Sequence, residues 1–325
     1  MQQADIDRRL NPRDLRIFMV VAERGNISQA ADSLAMSRPV ISRTIASLER
    51  TLGVPLFDRS PQGVEPTLYG RALRKLAITV FDDVRQGMQE IEFLADPTAG
   101  ELRIGCTESM AGGLVSAAIG RLSRQYPQLI FHMELANSDV LQLRTLRERK
   151  CEFVVARQID PQPDMDAEVL FHEQPLVWVG PHSEWLRRRK IGLAELVDER
   201  WILTSLDVQP GAPIFEAFRA VGLQVPQARI MSHSFPLRRS LMPTGRFLTL
   251  IPDSMLKFGP KPSSINVLPI ALPRWRQPIA IVTLKNRTLS PMAQLLIGCI
   301  REFAAPLAKR EKRAAAPAPL AVPAK

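Results

Sequence analysis

Apolar residues recur at helical spacing along the amino-terminal part of the chain. Leu15, Phe18, Met19 and Ala22 share one face of a helix opened by Asn11 and Pro12 and ended near Gly25. A shorter helix follows, with Ser28 placed to cap it and Ala30, Ala31 and Leu34 on one side. The small alanine pair lets a crossing helix approach closely. After a three-residue break, Ser37 is placed to cap a third helix with Pro39 in its first turn. In that helix Ile41, Ile45, Leu48 and Leu52 recur at steps of four, three and four and point inward. Arg38, Pro39, Ser42, Arg43 and Ala46 then face outward. Such a set suits the major groove, where arginine pairs with guanine O6 and N7. The pattern from Ser28 to Leu52 is a helix-turn-helix, its third helix is the reader, and its expected partner is duplex DNA.

Beyond the reader, Gly53-Val54-Pro55-Leu56-Phe57 turns the chain, and Arg59 to Pro66 predicts a hairpin tip between short strands, a wing with Arg59 placed to meet phosphate or the minor groove. From Thr67 to about Ala95 there is no proline, and Leu73, Leu76, Val80, Val84, Met88, Ile91 and Ala95 step by three or four. One long amphipathic helix accounts for them. A small head covers little of so long an apolar stripe, so a second copy of the chain is expected against it. Asp96-Pro97-Thr98-Ala99-Gly100 is expected to break the helix as a linker.

Past residue 100, short β-rich runs alternate with helical patterns, beginning with Leu102 to Cys106 and a helix reaching Tyr126. Further strands are expected at Ile130 to Leu135, Phe153 to Ala156, Pro175 to Gly180, Trp201 to Thr204, Ala228 to Met231, Leu248 to Pro252, Val267 to Pro269 and Ile279 to Leu284. A parallel sheet is the expectation, and the strand count exceeds what one small sheet needs. Two α/β subdomains with a ligand cleft between them accommodate the excess, joined by crossings near Arg157 to Pro161 and near Ile265 to Ala271. The predicted division is a DNA-binding head over 1–66, a linker and dimerisation helix over 67–95, a ligand-cleft domain over 100–305, and a disordered Ala/Pro-rich basic tail over 306–325. Within the ligand-cleft domain, subdomain I takes about 100–157 and 271–305, and subdomain II about 162–264.

The net charge of +10 on 325 residues favours a polyanionic partner, but its location dilutes that argument. Residues 1–95 carry 13 Lys and Arg against 12 Asp and Glu, a net of +1, while residues 96–325 hold 30 against 21. Over residues 1–80 the balance is 12 against 8, so the basic part is the compact head. Cys106, Cys151 and Cys299 form no CxxC pair and read as reduced thiols of a cytosolic protein. The first nine residues alternate in charge without an apolar run, which argues against a signal peptide, and no window reaches the ~18 apolar residues of a membrane span. His132, His172, His182 and His233 are isolated, and no HExxH, Cys/His ligand spacing, phosphate loop or GxSxG is present. No cofactor, metal or catalysis is expected. Trp178, Trp185, Trp201 and Trp275 read as packing residues rather than a stacking platform.

The run Leu15-Arg16-Ile17-Phe18 through Glu23-Arg24-Gly25-Asn26-Ile27-Ser28-Gln29-Ala30-Ala31 has a recognisable continuation. It is followed by Ser37-Arg38-Pro39-Val40-Ile41-Ser42-Arg43, Leu48-Glu49, Leu52-Gly53-Val54-Pro55-Leu56-Phe57-Asp58-Arg59, and Thr67 with Gly70. These residues resemble those of LysR-type transcriptional regulators. The resemblance implies an α+β multidomain fold: a winged helix-turn-helix, a long linker helix, and an α/β effector domain of two Rossmann-like subdomains, similar to type II periplasmic solute-binding proteins. It implies a homodimer through the linker helix, a homotetramer, RNA polymerase as a further partner, and a cytoplasmic setting. By position, base reading falls on Arg38, Pro39, Ser42 and Arg43, with Arg59 on the wing; Arg38 departs from the Gln common in relatives. Effector contacts fall on Thr107, Glu108, Ser109, Asn137, Ser138, Arg157, Ser205, Ser234 and Phe235. Many relatives suit carboxylates, whereas a carboxylate side chain at Glu108 repels an anionic ligand. The function implied is effector-controlled transcriptional regulation. The alternative weighed is an architectural DNA-bending protein that senses nothing.

Overall fold

The computed structural model describes residues 10–157, 160, 162–258, 266–270, 272 and 277–315. By contact density the chain forms two units, Met1–Met88 and Gln89–Lys325.

In the first unit, helix α1 (Pro12–Arg24) is N-capped by Asn11, whose carboxamide oxygen accepts from the Arg13 amide at 2.8 Å. It ends at Gly25, which takes φ 61° and so the left-handed conformation that a Cβ disfavours. Helix α2 (Ile27–Ser33) is capped by Asn26 rather than by the expected Ser28. Asn26 is extended and its side chain accepts from the Ser28 and Gln29 amides at 2.8 and 3.3 Å, which leaves Ser28 inside the first turn. Helix α3 (Arg38–Leu52) begins after Ser37, which occupies the cap position without a side-chain cap bond, a second departure from expectation. Ala30, Ala31, Ile41, Ile45 and Leu48 are buried with Leu15 and Phe18 of α1, as the spacing predicts; Ile17 and Val21, which it did not single out, join them, while Met19, Ala22, Leu34 and Leu52 are half-buried at the edge. Each large apolar side chain so buried contributes roughly 1.5–3 kcal/mol before chain entropy is counted.

Strands β1 (Phe57–Ser60) and β2 (Gly63–Pro66) pair antiparallel with Ser60 opposite Gly63, so the tip is Pro61-Gln62 and the strands are longer than predicted. Phe57 and Val64 turn into the head's core. Thr67 then joins two segments: its hydroxyl donates to the Pro55 carbonyl at 2.7 Å and accepts from the Gly70 amide at 3.0 Å. A Cβ on Gly70 would lie 2.1 Å from the Leu56 carbonyl oxygen, so only glycine lets helix α4 (Leu68–Ala95) start against that turn. Leu73 and Ala77 of α4 are buried in the head, whereas Leu76, Val84, Met88 and Ile91 of the predicted stripe, and Leu94 beside it, are exposed in the single chain.

The second unit holds two five-stranded sheets. The first contains β3 (Ala99–Cys106), β4 (Gln128–Leu135), β5 (Phe153–Arg157), β6 (Met165–Glu173) and β12 (Gln277–Leu284), in the order β4-β3-β5-β12-β6. The second contains β7 (Pro175–Val179), β8 (Trp201–Leu203), β9 (Ala228–Met231), β10 (Leu248–Pro252) and β11 (Asn266–Val267), in the order β11-β7-β10-β8-β9. Both sheets are mixed rather than parallel: β12 runs antiparallel to β5 and β6, and β7 antiparallel to β10 and β11. Strand β6 escaped the sequence reading. Its first half, Asp166 to Val169, is exposed at the sheet edge and shows no apolar alternation.

That strand corrects the subdomain boundary. The chain stays in the first sheet until Glu173 and crosses at Gln174, not near Arg157 to Pro161; the return falls between Val267 and Gln277. The crossing is fastened by a reciprocal pair: the Gln174 amide donates to Asp253 Oδ1 at 3.0 Å, and the Asp253 amide to the Gln174 carbonyl at 2.9 Å. Strand β3 also begins at Ala99, so Ala99 and Gly100 are strand rather than linker.

Helices α5 (Ser116–Gln125), α6 (Asp139–Arg147), α7 (Pro213–Ala220), α8 (Phe235–Leu241) and α9 (Asp253–Phe258) connect the strands, and α10 (Pro291–Ala315) closes the chain. The expected tail from Pro306 is therefore helical through Ala315; residues 316–325 lie outside the described residues. Pro306 removes one amide donor, yet buried Ala304 and the packed side chains of Phe303 and Leu307 hold both flanks of that turn to the first lobe. Trp178, Trp185 and Trp201 are buried, with Trp201 Nε1 donating to the Leu196 carbonyl at 2.8 Å, as packing residues should be. Trp275 lies outside the described residues. Among the described residues no helix is long and apolar enough to cross a membrane.

Candidate functional site

On the head, the amino-terminal turn of α3 carries Arg38 and Pro39 exposed, Ser42 half-buried and Arg43 exposed. The inward registers are filled by Ile41, Ile45 and Leu48, so helical geometry alone turns these four outward. Arg43 donates from Nε to the Pro39 carbonyl at 3.2 Å, which steadies the side chain along the helix. Arg59 is exposed on β1. Among the described residues none of the three arginines makes an ion pair. An uncompensated guanidinium on a rigid convex element is suited to a polyanion, and its planar fork to a guanine edge.

The second unit holds a cleft of about 370 Å³ lined from both sheets. Thr107, Glu108, Ser109, Asn137 and Arg157 line it from the first lobe, and Phe235 from the second; the resemblance singled out these six positions. Thr107 caps the short turn Glu108–Met110 by accepting the Met110 amide at 3.3 Å, and its hydroxyl lies 3.0 Å from that of Ser109. Asn137 Oδ1 accepts the Glu108 amide at 3.4 Å. Ser138 and Ser234 are not among the lining residues; they cap α6 and α8 through the Leu141 and Leu237 amides. Ser205 also lies off the lining, with its hydroxyl 3.1 Å from Nε2 of His233, which does line the cleft.

The charged lining residues Glu173, Asp207 and Arg238 went unread in the sequence, as did the polar His233, Thr204, Gln209 and Gln277. Glu173 ends the strand that sequence patterning missed, so its signal was hidden with β6. Its carboxylate is buried and accepts from Arg157 Nε at 2.5 Å and from Ser254 Oγ at 2.6 Å. Arg157 also donates to Ser109 Oγ at 3.3 Å. Arg157 therefore ends β5 inside the first lobe and is not part of a crossover. Asp207 Oδ2 accepts the Thr204 amide and hydroxyl at 2.7 and 2.8 Å. Arg238 lies on α8 one turn beyond Ser234 and Phe235, a helical register that was available as a signal. Its two terminal nitrogens donate to the Ser232 and Leu250 carbonyls at 2.9 and 3.3 Å, and its Nε is buried without a partner. Burial lowers the Arg238 pKa, while Asp207 and Glu108 nearby favour its charge.

The longest reach in the cleft belongs to Glu108. Its Oε2 accepts the Phe235 amide at 2.6 Å across 127 positions of sequence, tying the first lobe to the second. Among the described residues no group of three His, Cys, Asp or Glu side chains could hold a metal ion. Burial pushes the Cys106 and Cys151 thiols up to about 12, which leaves both as inert packing residues at neutral pH.

Residues 12–71 match the model described as bacterial regulatory helix-turn-helix protein, lysR family, and residues 95–305 match the LysR substrate binding domain. The chain is 29% identical over 296 residues to the HTH-type transcriptional regulator GbpR of Azospirillum brasilense, covering 90% of this chain and 86% of that one. It is 25% identical over 285 residues to the transcriptional dual regulator GltC of Bacillus subtilis, covering 86% and 93%. Its fold is similar to that of full-length CbnR complexed with target DNA, at TM-score 0.64 and 20% identity, over 90% of this chain and all of that one. CbnR solved separately, a LysR family transcriptional regulator, aligns at TM-score 0.61 and 20% identity over 91% and 99%.

Proposed function

The chain belongs to the LysR family of DNA-binding transcriptional regulators, and from that premise we propose which of its residues read the operator and which receive the effector. Its activity is that of a transcriptional regulator with a helix-turn-helix head and a small-molecule-binding domain. In our reading, Arg38, Pro39, Ser42 and Arg43 contact base edges in the major groove, and Arg59 meets phosphate or the minor groove from the wing. The observation that carries this is the exposed, unpaired set of arginines on one turn of α3 and on β1. Thr107, Glu108, Ser109, Asn137, Arg157 and Phe235 line the effector pocket. Ser205 serves it indirectly by holding His233, and Ser138 and Ser234 by capping the helices at its edge.

The functional division we propose is a reading head to residue 66, a coupling helix over 67–95 and an effector domain over 100–305, with its lobes exchanged at Gln174. The exposed Val84, Met88, Ile91 and Leu94 of α4 support a homodimer through that helix; a homotetramer built from dimers, a cytoplasmic setting and RNA polymerase as further partner complete the proposal by family membership. The cleft binds and does not catalyse. Effector binding shifts the lobe arrangement and so the bend imposed on DNA.

Footprinting of the full chain on its own promoter region tests the head: a protected site that weakens linearly with the logarithm of salt is expected, and no protection at any salt concentration rejects it. Thermal shift against a metabolite library tests the cleft, since only a sensor is stabilised by a small molecule and an architectural protein is not.

A further inference from the structure

Charge in the cleft is unequal. Glu108, Glu173 and Asp207 contribute three carboxylates to its lining against the guanidinium groups of Arg157 and Arg238. Both arginines already serve protein acceptors. Arg157 is taken by Glu173 and Ser109, and the terminal nitrogens of Arg238 are spent on the Ser232 and Leu250 carbonyls. Two carboxylate oxygens are in the opposite position. Glu108 uses Oε2 on the Phe235 amide and Asp207 uses Oδ2 on Thr204, and among the described residues neither Glu108 Oε1 nor Asp207 Oδ1 accepts a hydrogen bond. Both carboxylates line the same cleft as Arg238, and Glu108 is bonded to the amide of Phe235 on the helix that carries that arginine.

We infer that the effector of this cleft carries a positively charged nitrogen, as an amine or an amino acid, received by Glu108 with Asp207 as second acceptor. This rests on the cleft being the effector site. An ammonium neutralises the excess carboxylate and finds acceptors already placed, whereas an organic acid without nitrogen brings a fourth carboxylate to a lining already in carboxylate excess, where the donor that Arg238 leaves unpartnered, its Nε, is buried. Leu206, Phe235, Leu250 and Met255 supply the apolar remainder, so the body of the ligand is a short aliphatic or aromatic skeleton fitted to about 370 Å³. Because Glu108 belongs to one lobe and its bonded Phe235 to the other, an ammonium drawn to Glu108 acts directly on the bond that ties them.

The test uses the full-length protein, with thermal shift and calorimetry. The probes are primary alkylamines, benzylamine and α-amino acids, each paired with the nitrogen-free carboxylate of the same skeleton. Nitrogen-bearing members are expected to bind about 100-fold or more tightly than their paired carboxylates. Glu108→Gln keeps an oxygen for the Phe235 amide and drops the charge; it is expected to lower amine affinity about 10-fold or more and to raise that of the carboxylates. Glu108→Asp, which keeps the charge, retains the amine preference. Equal or tighter binding of the nitrogen-free carboxylates to the unmodified protein overturns the inference while leaving the effector reading intact, as does a Glu108→Gln protein that binds amines unchanged. Failure of every probe also overturns it, and the effector reading falls with it only if the wider metabolite library fails too.

Discussion

Arginine is used in opposite ways in the two units. On the head, Arg38, Arg43 and Arg59 stand exposed on elements whose other faces are packed, and among the described residues none of them is ion-paired. In the cleft, Arg157 is held by buried Glu173, and Arg238 donates to two carbonyls while the charges of Glu108 and Asp207 favour its own. The difference separates two kinds of recognition. An exposed, uncompensated cation is available to any polyanion, and specificity comes from where the helix aims it. A compensated cation organises its neighbours, and a ligand must match the charge left over.

The sharpest way to break the comparison is to remove the scaffold that aims the head's arginines. Ile45 is 1% exposed in a small core, so Ile45→Ala is expected to destabilise the head by about 2–5 kcal/mol and to abolish the footprint. Chemical denaturation checks the first effect and footprinting the second; a protein as stable as its parent refutes the assignment of Ile45 to the core. The converse change makes a cleft arginine resemble one on the head. Glu173→Ala leaves Arg157, only 27% exposed, without its carboxylate, and a loss of about 3 kcal/mol is expected on unfolding in urea. A neutral result there shows that the pair is not needed to hold the cleft.

Smaller effects sharpen the contrast. Arg43→Ala should lower specific operator binding by about 1–3 kcal/mol and leave self-association unchanged. Equal discrimination between operator and scrambled DNA in both proteins shows that Arg43 reads nothing. The smallest effect concerns the buried thiols. Burial raises Cys106 and Cys151 from 9.0 to about 12, so the folded state holds their protons longer than the unfolded chain does. Their contribution is complete below about pH 9 and declines as pH rises above it. Stability of the parent relative to Cys106→Ala should therefore fall between pH 9 and pH 11, measured by urea unfolding at each pH; a constant difference contradicts the burial argument.

Much of the head was legible from the amino acids alone. Its buried set follows from steps of three and four, and Pro39 and Gly25 mark helix boundaries that the structure keeps. The errors there were of one or two positions: Asn26 caps α2 in place of Ser28, because an extended Asn immediately before the first turn reaches the free amides better than a residue already inside it. In the second unit most strands were found, but β6 was missed because its exposed half lacks alternation, and the lobe boundary moved with it to Gln174. Six of the nine positions expected from the resemblance line the cleft, Phe235 among them, while Glu173, Asp207, His233 and Arg238 went unseen.

Those successes and failures share one physical origin. The amino-acid sequence by itself determined the helix-turn-helix, its outward arginines and the long apolar helix, because those features depend on neighbours three or four residues apart. Only the tertiary structure decided the cleft's charge. Pairing Arg157 with Glu173 requires a strand that patterning did not reveal, and joining Glu108 to Phe235 spans 127 positions. Contacts at such separation are set by how two sheets close on each other, and no local period records them.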